Sequence, residues 1–284
     1  MTHRILWLLV TMLLSMVGTA AAHEDGAAMT GRIVVIGATA RSSLEIIPQA
    51  LARGYEVTAV ARRPADLQLS HEHLRIVAGD VYDRASIEAV LTGSEVVISM
   101  VGPRVDPFKE VPPMDLFTTG TRNIIEAMKS KGNRRLLVAS SIGVENEFPT
   151  VKPDEMKEPG KMWLWNSRHL YRDMHAMEDM VRASDLDWVI FRPGFMVEEP
   201  MRDDLRLAIN ENSPKQRMLT YADFGRFVVD QIAGNGYLGK TVGVYTDRPL
   251  EFGKNADFEA LTKMMKEKAE QAPPKPTPAP APAP

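Results

Sequence analysis

Strand and helix patterns alternate along the chain from residue 31 onward, and this alternation constrains the fold more than any other feature. Residues 32–36 are dominated by β-branched side chains, which is typical of a strand buried on both faces of a parallel sheet. Residues 45–53 have helical spacing and end at Gly54, the residue type that often follows a helix C-terminus. The pattern therefore predicts an α/β fold with a doubly wound parallel sheet.

The alternation of strand and helix patterns continues to residue 271. Strands are predicted at residues 56–61, 74–78, 95–100, 135–139, 188–192 and 241–245, and helices at residues 85–91, 115–131, 169–183 and 255–271. Thr220 and Asp223 have the spacing of a capping box, which predicts a further helix to about Ala233.

Two segments, at residues 143–167 and 194–219, interrupt the alternation of strands and helices. Both follow strands in the second half of the chain. Ligands of open α/β sheets bind beyond the carboxyl ends of the strands. We therefore expect the two segments to form a small, irregular C-terminal substrate cap.

The N-terminal 22 residues have the three parts of a secretory signal peptide. Basic His3 and Arg4 precede an uncharged run at residues 5–17, and small residues lead to a cleavage site after Ala22. We expect a periplasmic or extracellular protein. An uncleaved membrane anchor is one alternative, and a cytoplasmic protein that starts at Met29 is another.

The remaining chain divides into one domain and a tail. Residues 31–271 are expected to form a single domain, and residues 272–284, rich in proline and alanine, a disordered, extended tail. The formal net charge of −3 gives no basis for nucleic-acid binding or for binding to an anionic membrane after signal cleavage. We expect a small-molecule substrate and a monomer or homodimer.

Metal and disulfide chemistry have little support in the sequence. The chain has no cysteine, which excludes disulfides, thiolate metal sites and cysteine nucleophiles. His71, Glu72 and His73 are adjacent but lack a fourth ligand, so no metal site is predicted.

The turn that follows the first strand suits a dinucleotide. A pyrophosphate needs backbone N–H groups at a helix N-terminus and a turn with little side-chain bulk. The candidate residues combine small side chains with hydroxyls and one cation, and they are Gly37, Ala38, Thr39, Ala40, Arg41 and Ser42.

Several motifs in order resemble one family between residues 31 and 245. They are Gly37-Ala38-Thr39, Gly79-Asp80-Val81, Met100-Val101-Gly102, Thr119-Gly120-Thr121-Arg122-Asn123, Ser140-Ser141, and Leu186-Asp187-Trp188 followed by Arg192-Pro193-Gly194. The chain resembles the atypical short-chain dehydrogenases of the NAD(P)H-binding, NmrA-like and flavin/biliverdin-reductase-like type. This resemblance implies a Rossmann-type sheet that binds a nicotinamide dinucleotide.

The first turn departs from the pattern of that family. Ala40 and Ser43 stand where the family usually has glycine. If either position needs a positive φ, the substitution strains the turn and weakens binding.

The resemblance also implies which residues contact the cofactor. Asp80 and Val81 would line the adenine pocket, and residues 100–102 (Met100, Val101 and Gly102) would run beneath the ribose. After the second strand, an NAD-preferring enzyme carries an acidic residue for the ribose hydroxyls. This chain has Arg62 and Arg63, whose guanidinium groups can bind a 2′-phosphate through two hydrogen bonds. The prediction is therefore NADP(H), with NAD the less favoured cofactor.

Candidate catalytic residues follow from the same resemblance. Short-chain dehydrogenases pair a serine with a tyrosine, and a lysine four residues later lowers the tyrosine pKa. Ser140 and Ser141 match the serine region, and Tyr171 with His175 occupies the tyrosine–lysine spacing. Aligning Glu178 with the family instead places Met174 at the lysine position. The Tyr171–His175 pair is either functional or a feature of the helix surface.

The sequence supports one main function and two alternatives. The main prediction is an NADP(H)-dependent oxidoreductase that acts on a small carbonyl, quinone or flavin-like acceptor. In such enzymes the cofactor carries the hydride and the protein orients it. The alternatives are a non-catalytic NAD(P)-binding or sensor protein, and a scaffold with a vestigial pocket.

Overall fold

A computed structural model describes residues 31–106, 109–154, 159–214 and 218–247. The predicted signal peptide, the helix at residues 255–271 and the proline-rich tail lie outside these ranges. Within the described ranges, none of the helices combines the length and hydropathy needed to cross a bilayer.

The described part of the chain follows the predicted order of strands and helices as far as residue 193, after which three short strands precede the next helix. The elements in order are β1 (Gly31–Ile36), α1 (Arg41–Ala52), β2 (Tyr55–Ala61), β3 (Leu74–Ala78), α2 (Arg84–Glu88), β4 (Val96–Ser99), α3 (Leu116–Lys131), β5 (Arg135–Ala139), α4 (Pro159–Arg182), β6 (Asp187–Pro193), β7 (Phe195–Val197), β8 (Leu205–Ile209), β9 (Met218–Thr220), α5 (Tyr221–Asp230) and β10 (Lys240–Thr246). Short 3₁₀ turns lie at Pro64–Asp66 and Ile142–Glu145.

Eight strands form one twisted sheet in the order β3-β2-β1-β4-β5-β6-β10-β8. Neighbouring strands are parallel except β8, which pairs antiparallel with β10. Strand order reverses between β1 and β4, so the carboxyl ends of β1, β4 and β5 lie side by side. The predicted Rossmann-type fold is confirmed, and a ligand is expected at this reversal.

Two hydrophobic cores cover the two faces of the sheet. Ile33 and Val35 of β1 point into the core beneath α1 and α5, whereas Val34 and Ile36 point into the core beneath α2, α3 and α4. A strand covered on both faces needs apolar residues at every position. This requirement explains the uninterrupted apolar run in the sequence.

Helix α4 begins at Pro159, ten residues before the predicted start, so the last residues of the expected irregular segment 143–167 are helical. Long-range contacts stabilise this first part of the helix. Val111 N donates to Asn166 O at 2.8 Å, and Trp165 Nε1 donates to Glu110 Oε2 at 3.3 Å. The contact from residue 111 crosses 55 positions of sequence, which local periodicity does not reveal.

The second expected cap segment, residues 194–219, contains short strands. β7 and β9 pair with each other in a separate two-stranded parallel sheet, and β8 extends the main sheet. The predicted capping box is confirmed, because Thr220 Oγ1 accepts from Asp223 N at 2.9 Å at the start of α5.

Candidate functional site

The turn between β1 and α1, residues 37–40, is referred to below as the Gly37 turn. Gly37 has a φ of +83°, and a Cβ built there would lie 2.7 Å from Met100 O. Met100 N in turn donates to Ile36 O at 2.9 Å, so the end of β4 lies tightly against the turn. Both the left-handed backbone and the close approach require glycine at this position.

Neither Ala40 nor Ser43, which stand where the family usually has glycine, has a positive φ. Ala40 precedes α1 with a φ of −68°, and Ser43 lies inside that helix. The fully buried Ser43 hydroxyl donates to Gly37 O at 2.9 Å. The strain expected for positive φ is therefore absent, and Ser43 adds a bond that a glycine could not make.

The N-terminus of α1 has no side-chain cap and no acidic residue in its first turn. Ala38 is fully buried, and Ser42 is nearly so, while Thr39 and Ala40 are partly exposed. Backbone N–H groups at such a terminus can bind phosphate oxygens. The Gly37 turn and α1 therefore fit the pyrophosphate of a dinucleotide.

Arg41 begins α1 and projects from the same turn. Its guanidinium lies 3.4 Å from the Glu198 carboxylate, which follows β7, and both side chains are about 70% exposed. An exposed ion pair of this kind contributes little stability. Arg41 can therefore exchange Glu198 for a phosphate at low cost.

The two arginines after β2 differ in their surroundings. The Arg63 guanidinium binds the Asp66 carboxylate through Nε at 2.9 Å and Nη2 at 2.8 Å. Among the described residues, exposed Arg62 has no hydrogen-bond or ion-pair partner. Arg62 is consequently the better placed of the two to receive a 2′-phosphate.

Val81, one of the two residues expected at the adenine, is held by α3. Val81 is buried against Gly120, where a Cβ would lie 2.9 Å from Val81 Cγ2. Asn123 Nδ2 donates to Val81 O at 2.7 Å, and Asp80 Oδ1 accepts from Tyr82 N at 3.0 Å.

Residues 100–102 leave β4 beside the Gly37 turn. Met100 is buried, Val101 is partly exposed and Gly102 is exposed. The segment thus passes from the core to the surface at the place where the ribose is expected.

The two serines after β5 have different partners. Ser140 is buried, and its hydroxyl donates to Glu178 Oε1 at 2.5 Å. Ser141 Oγ accepts from Gly143 N at 3.0 Å and is hydrogen-bonded to the Tyr171 hydroxyl. The structure therefore brings Ser141, rather than Ser140, together with the predicted tyrosine.

Tyr171 is enclosed by the segment that follows β5. Its ring lies against Gly143, where a Cβ would come within 2.2 Å of two ring carbons. The Phe148 ring stacks on it at 5.8 Å, and the Trp163 ring lies 5.9 Å away. Burial raises the pKa of Tyr171, and the Ser141 hydrogen bond only partly opposes that rise. The phenol is therefore protonated at neutral pH.

His175 and Met174 supply no permanent positive charge beside Tyr171. The His175 side chain is 54% exposed, and its Nδ1 lies 3.3 Å from the Asp179 carboxylate. Met174 is buried in the core with Met177. Position 174, where the aligned lysine is expected, is therefore part of the apolar face of α4.

Sequence reasoning missed Gly143 and Phe148, which shape the surroundings of Tyr171, and it missed the network around Glu178. Glu178 is fully buried and binds Arg192 through both carboxylate oxygens. Burial opposes its ionisation, but hydrogen bonds from Arg192 and Ser140 outweigh that effect and lower its pKa. Its spacing of seven residues from Tyr171 on one helix face was the available signal.

The described residues contain no group of three or more His, Asp or Glu side chains placed to hold a metal ion. In the loop at residues 71–73, His71 Nδ1 accepts from His73 N at 3.1 Å.

A family model described as NAD(P)H-binding matches residues 37–235, a range that contains the Gly37 turn, Ser141 and Tyr171. The chain belongs to this NAD(P)H-binding family. As the resemblance implied, it is an atypical NAD(P)-binding protein similar to the short-chain dehydrogenases.

Proteins similar to this chain include a plant enzyme. Cinnamoyl-CoA reductase 1 of Oryza sativa subsp. japonica is 32% identical over 130 residues, which is 43% of this chain. The chain spans only 38% of the length of that relative.

Solved structures share the fold. An oxidoreductase from Lactococcus lactis superposes with a TM-score of 0.61 at 18% identity, covering 83% of this chain and 97% of that one. A short-chain dehydrogenase/reductase from Veillonella parvula, solved in complex with NADP, has a TM-score of 0.58 at 17% identity and covers 78% and 97%. At these identities the likeness concerns the fold alone.

Proposed function

We propose that this protein is an NADP(H)-dependent reductase of a small carbonyl, quinone or flavin-like acceptor. The observation that carries the proposal is the contact of Tyr171 with the turn after β5, where its ring lies against Gly143 and its hydroxyl meets Ser141. The carboxyl end of β5 lies next to β4 and β1, where the Gly37 turn is placed to hold a dinucleotide. A proton donor and a cofactor site thus share one edge of the sheet.

The residues of this chain have separate roles in the proposed reaction. The first turn of α1 would bind the pyrophosphate, and Arg62 would bind the 2′-phosphate. When bound, NADPH supplies the hydride. Ser141 would orient the acceptor oxygen, and Tyr171 would donate a proton from its hydroxyl to that oxygen.

The surroundings of Tyr171 favour reduction over oxidation. Oxidation of an alcohol needs a phenolate to remove a proton, and burial raises the pKa of Tyr171. Neither Met174 nor His175 provides the fixed positive charge that would lower it again. A phenol that stays protonated at neutral pH suits proton donation.

Relatives support an oxidoreductase with this type of cofactor. The rice relative is named a cinnamoyl-CoA reductase, and the Veillonella parvula protein was solved with NADP.

The test is NADPH oxidation with a panel of aldehydes, quinones and free flavins. Tyr171→Phe should lower kcat by about 100-fold or more, as expected when a general acid is lost. Nucleotide affinity, measured by fluorescence titration, should stay unchanged. The matched control is Tyr237→Phe, because Tyr237 packs against Phe227 in the opposite core and should not affect kcat. Equal activity of Tyr171→Phe and the parent would refute the proton-donor role.

A second candidate is a non-catalytic NAD(P)-binding or sensor protein. The buried Met174 at the aligned lysine position favours it, since the usual lysine is replaced by an apolar side chain. Tight nucleotide binding without turnover of any acceptor would favour this candidate over the reductase.

We also propose that the protein is exported. The support is the signal-peptide pattern that ends at Ala22. Protein purified from the native host should begin at His23 by mass spectrometry. A cytoplasmic protein that begins at Met29 would refute export.

A further inference from the structure

The segment from Ser140 to Glu145, called here the 140–145 turn, carries both Ser141 and Gly143. We propose that Arg192 positions the Ser141–Tyr171 pair by holding both ends of this turn through Glu178 and Glu145. This inference rests on the proposed function, because it assigns positioning residues to the same site.

The first end of the turn is fixed through Glu178. Arg192 donates to Glu178 from Nε at 2.9 Å and from Nη2 at 2.6 Å, a two-point contact that fixes the orientation of the carboxylate. Ser140 Oγ then donates to Glu178 Oε1 at 2.5 Å. Since Glu178 is fully buried, water does not compete for these bonds.

The second end of the turn is fixed by Glu145. Arg192 Nη1 donates to Glu145 Oε1 at 3.1 Å, and Ser213 N donates to Glu145 Oε2 at 3.0 Å. The Glu145 side chain is only 4% exposed and that of Arg192 12%. One guanidinium on β6 therefore contacts both carboxylates.

Backbone geometry transmits this restraint to Ser141. Ser141 is extended, with a φ of −158° and a ψ of 150°, and its hydroxyl meets Tyr171 of α4, the same helix whose Glu178 binds Ser140. Because Ser140 and Ser141 share one planar peptide bond, anchoring Ser140 to α4 also restrains the backbone that carries the Ser141 hydroxyl. Ser140 N also donates to Phe191 O at 2.7 Å, which ties the start of the turn to β6.

Helix α4 contributes to both contacts. Glu178 and Tyr171 lie seven residues apart on the same helix, about 10 Å along its axis. The Ser140–Glu178 bond therefore sets the position of α4 relative to β5 near Tyr171. Losing it should allow Ser141 and Tyr171 to separate.

The experiment begins with Ser140→Ala, which removes the link and leaves every charge in place. With the acceptor that the parent reduces best, kcat should fall about 10-fold, whereas KM for NADPH should not change. Ser140→Thr restores a hydroxyl and should recover most of kcat. Glu145→Gln tests the second end, because a carboxamide has a single acceptor oxygen and cannot replace both carboxylate oxygens, one of which accepts from Arg192 and the other from Ser213 N.

The matched control removes a hydroxyl that binds a different buried carboxylate, at the opposite end of the sheet. Thr92 Oγ1 donates to Glu95, which precedes β4 and also accepts from Asn133. Thr92→Ala should lower the melting temperature to a similar degree and leave kcat unchanged. A comparable fall in kcat in this control would mean that Ser140 acts only through stability, and the proposal would be overturned.

A second measurement does not depend on turnover. The ¹³Cζ resonance of Tyr171, assigned by its loss in Tyr171→Phe, reports the hydrogen bond to Ser141. It should shift in Ser140→Ala and in Glu145→Gln, and stay in place in Thr92→Ala. An unchanged resonance in the first two variants would overturn the positioning role. If the parent reduces no acceptor, the proposed function fails, and this resonance still decides the positioning proposal.

Discussion

The Gly37 turn after β1 and the Ser141–Tyr171 pair after β5 lie at one edge of the same sheet but depend on different kinds of contact. The turn uses backbone groups and small residues that are adjacent in sequence, together with one approach to Met100. The pair joins residues 30 positions apart and depends on α4, β6 and the loop before β9 for its position. A substitution in the turn should therefore act on nucleotide affinity, and one near the pair should act on kcat.

The largest expected effect separates these two outcomes. Gly143→Ala places a Cβ about 2.2 Å from the Tyr171 ring, so the ring must move. We expect kcat to fall about 100-fold, as for loss of a general acid, with little change in nucleotide affinity. Steady-state kinetics and fluorescence titration measure the two quantities. Gly236→Ala is the control, because its Cβ would meet no atom within 4 Å. A parallel loss of nucleotide affinity would break the separation.

Gly37→Ala tests the other region. Alanine at this position must adopt the positive φ, and its Cβ would clash with Met100 O. The resulting strain of about 1–3 kcal/mol would distort the Gly37 turn, where the phosphates are proposed to bind. NADPH affinity should fall by about 10-fold or more in titration calorimetry. Gly239→Ala has a φ of +68° but open space around the Cβ, so it should lower stability alone. Intact affinity in Gly37→Ala would show that phosphate binds elsewhere.

The two arginines after β2 sharpen the comparison within the nucleotide site. Because Arg63 is engaged by Asp66, Arg62→Ala should weaken NADPH relative to NADH by about 10-fold, the range of a charged hydrogen bond. Arg63→Ala should change that ratio much less. Dissociation constants for both nucleotides provide the measurement. Equal weakening of NADPH and NADH in Arg62→Ala would contradict a 2′-phosphate contact.

The smallest effect concerns the two non-glycine positions of the first turn. A sequence comparison alone predicts that Ala40→Gly with Ser43→Gly raises affinity. The structure predicts no gain, because neither position has a positive φ and Ser43 bonds Gly37 O. Ser43→Gly should also lower the free energy of unfolding by about 1 kcal/mol in the first turn of α1. A several-fold gain in NADPH affinity would contradict this interpretation.

Much of the fold could be predicted from local patterns. Strands β1 to β6 and β10 and the capping box before α5 lie where periodicity and residue type place them, since burial on both faces imposes a recognisable composition. The start of α4 could not be predicted, because contacts from Glu110 and Val111 stabilise its first turns. The short strands β7, β8 and β9 were also not predicted, since three to five residues carry little periodicity.

Sequence alone determined the doubly wound sheet and the position of the Gly37 turn, because each follows from residues that are neighbours along the chain, whereas Tyr171 was indicated by the resemblance to the short-chain dehydrogenases. Tertiary structure alone decided that Ser141 binds Tyr171 while Ser140 binds Glu178, and that Arg63 is engaged while Arg62 is exposed. It also decided that Ser43 supports the turn. Adjacent residues of the same type differ only in the direction of their side chains, and packing against distant elements sets that direction.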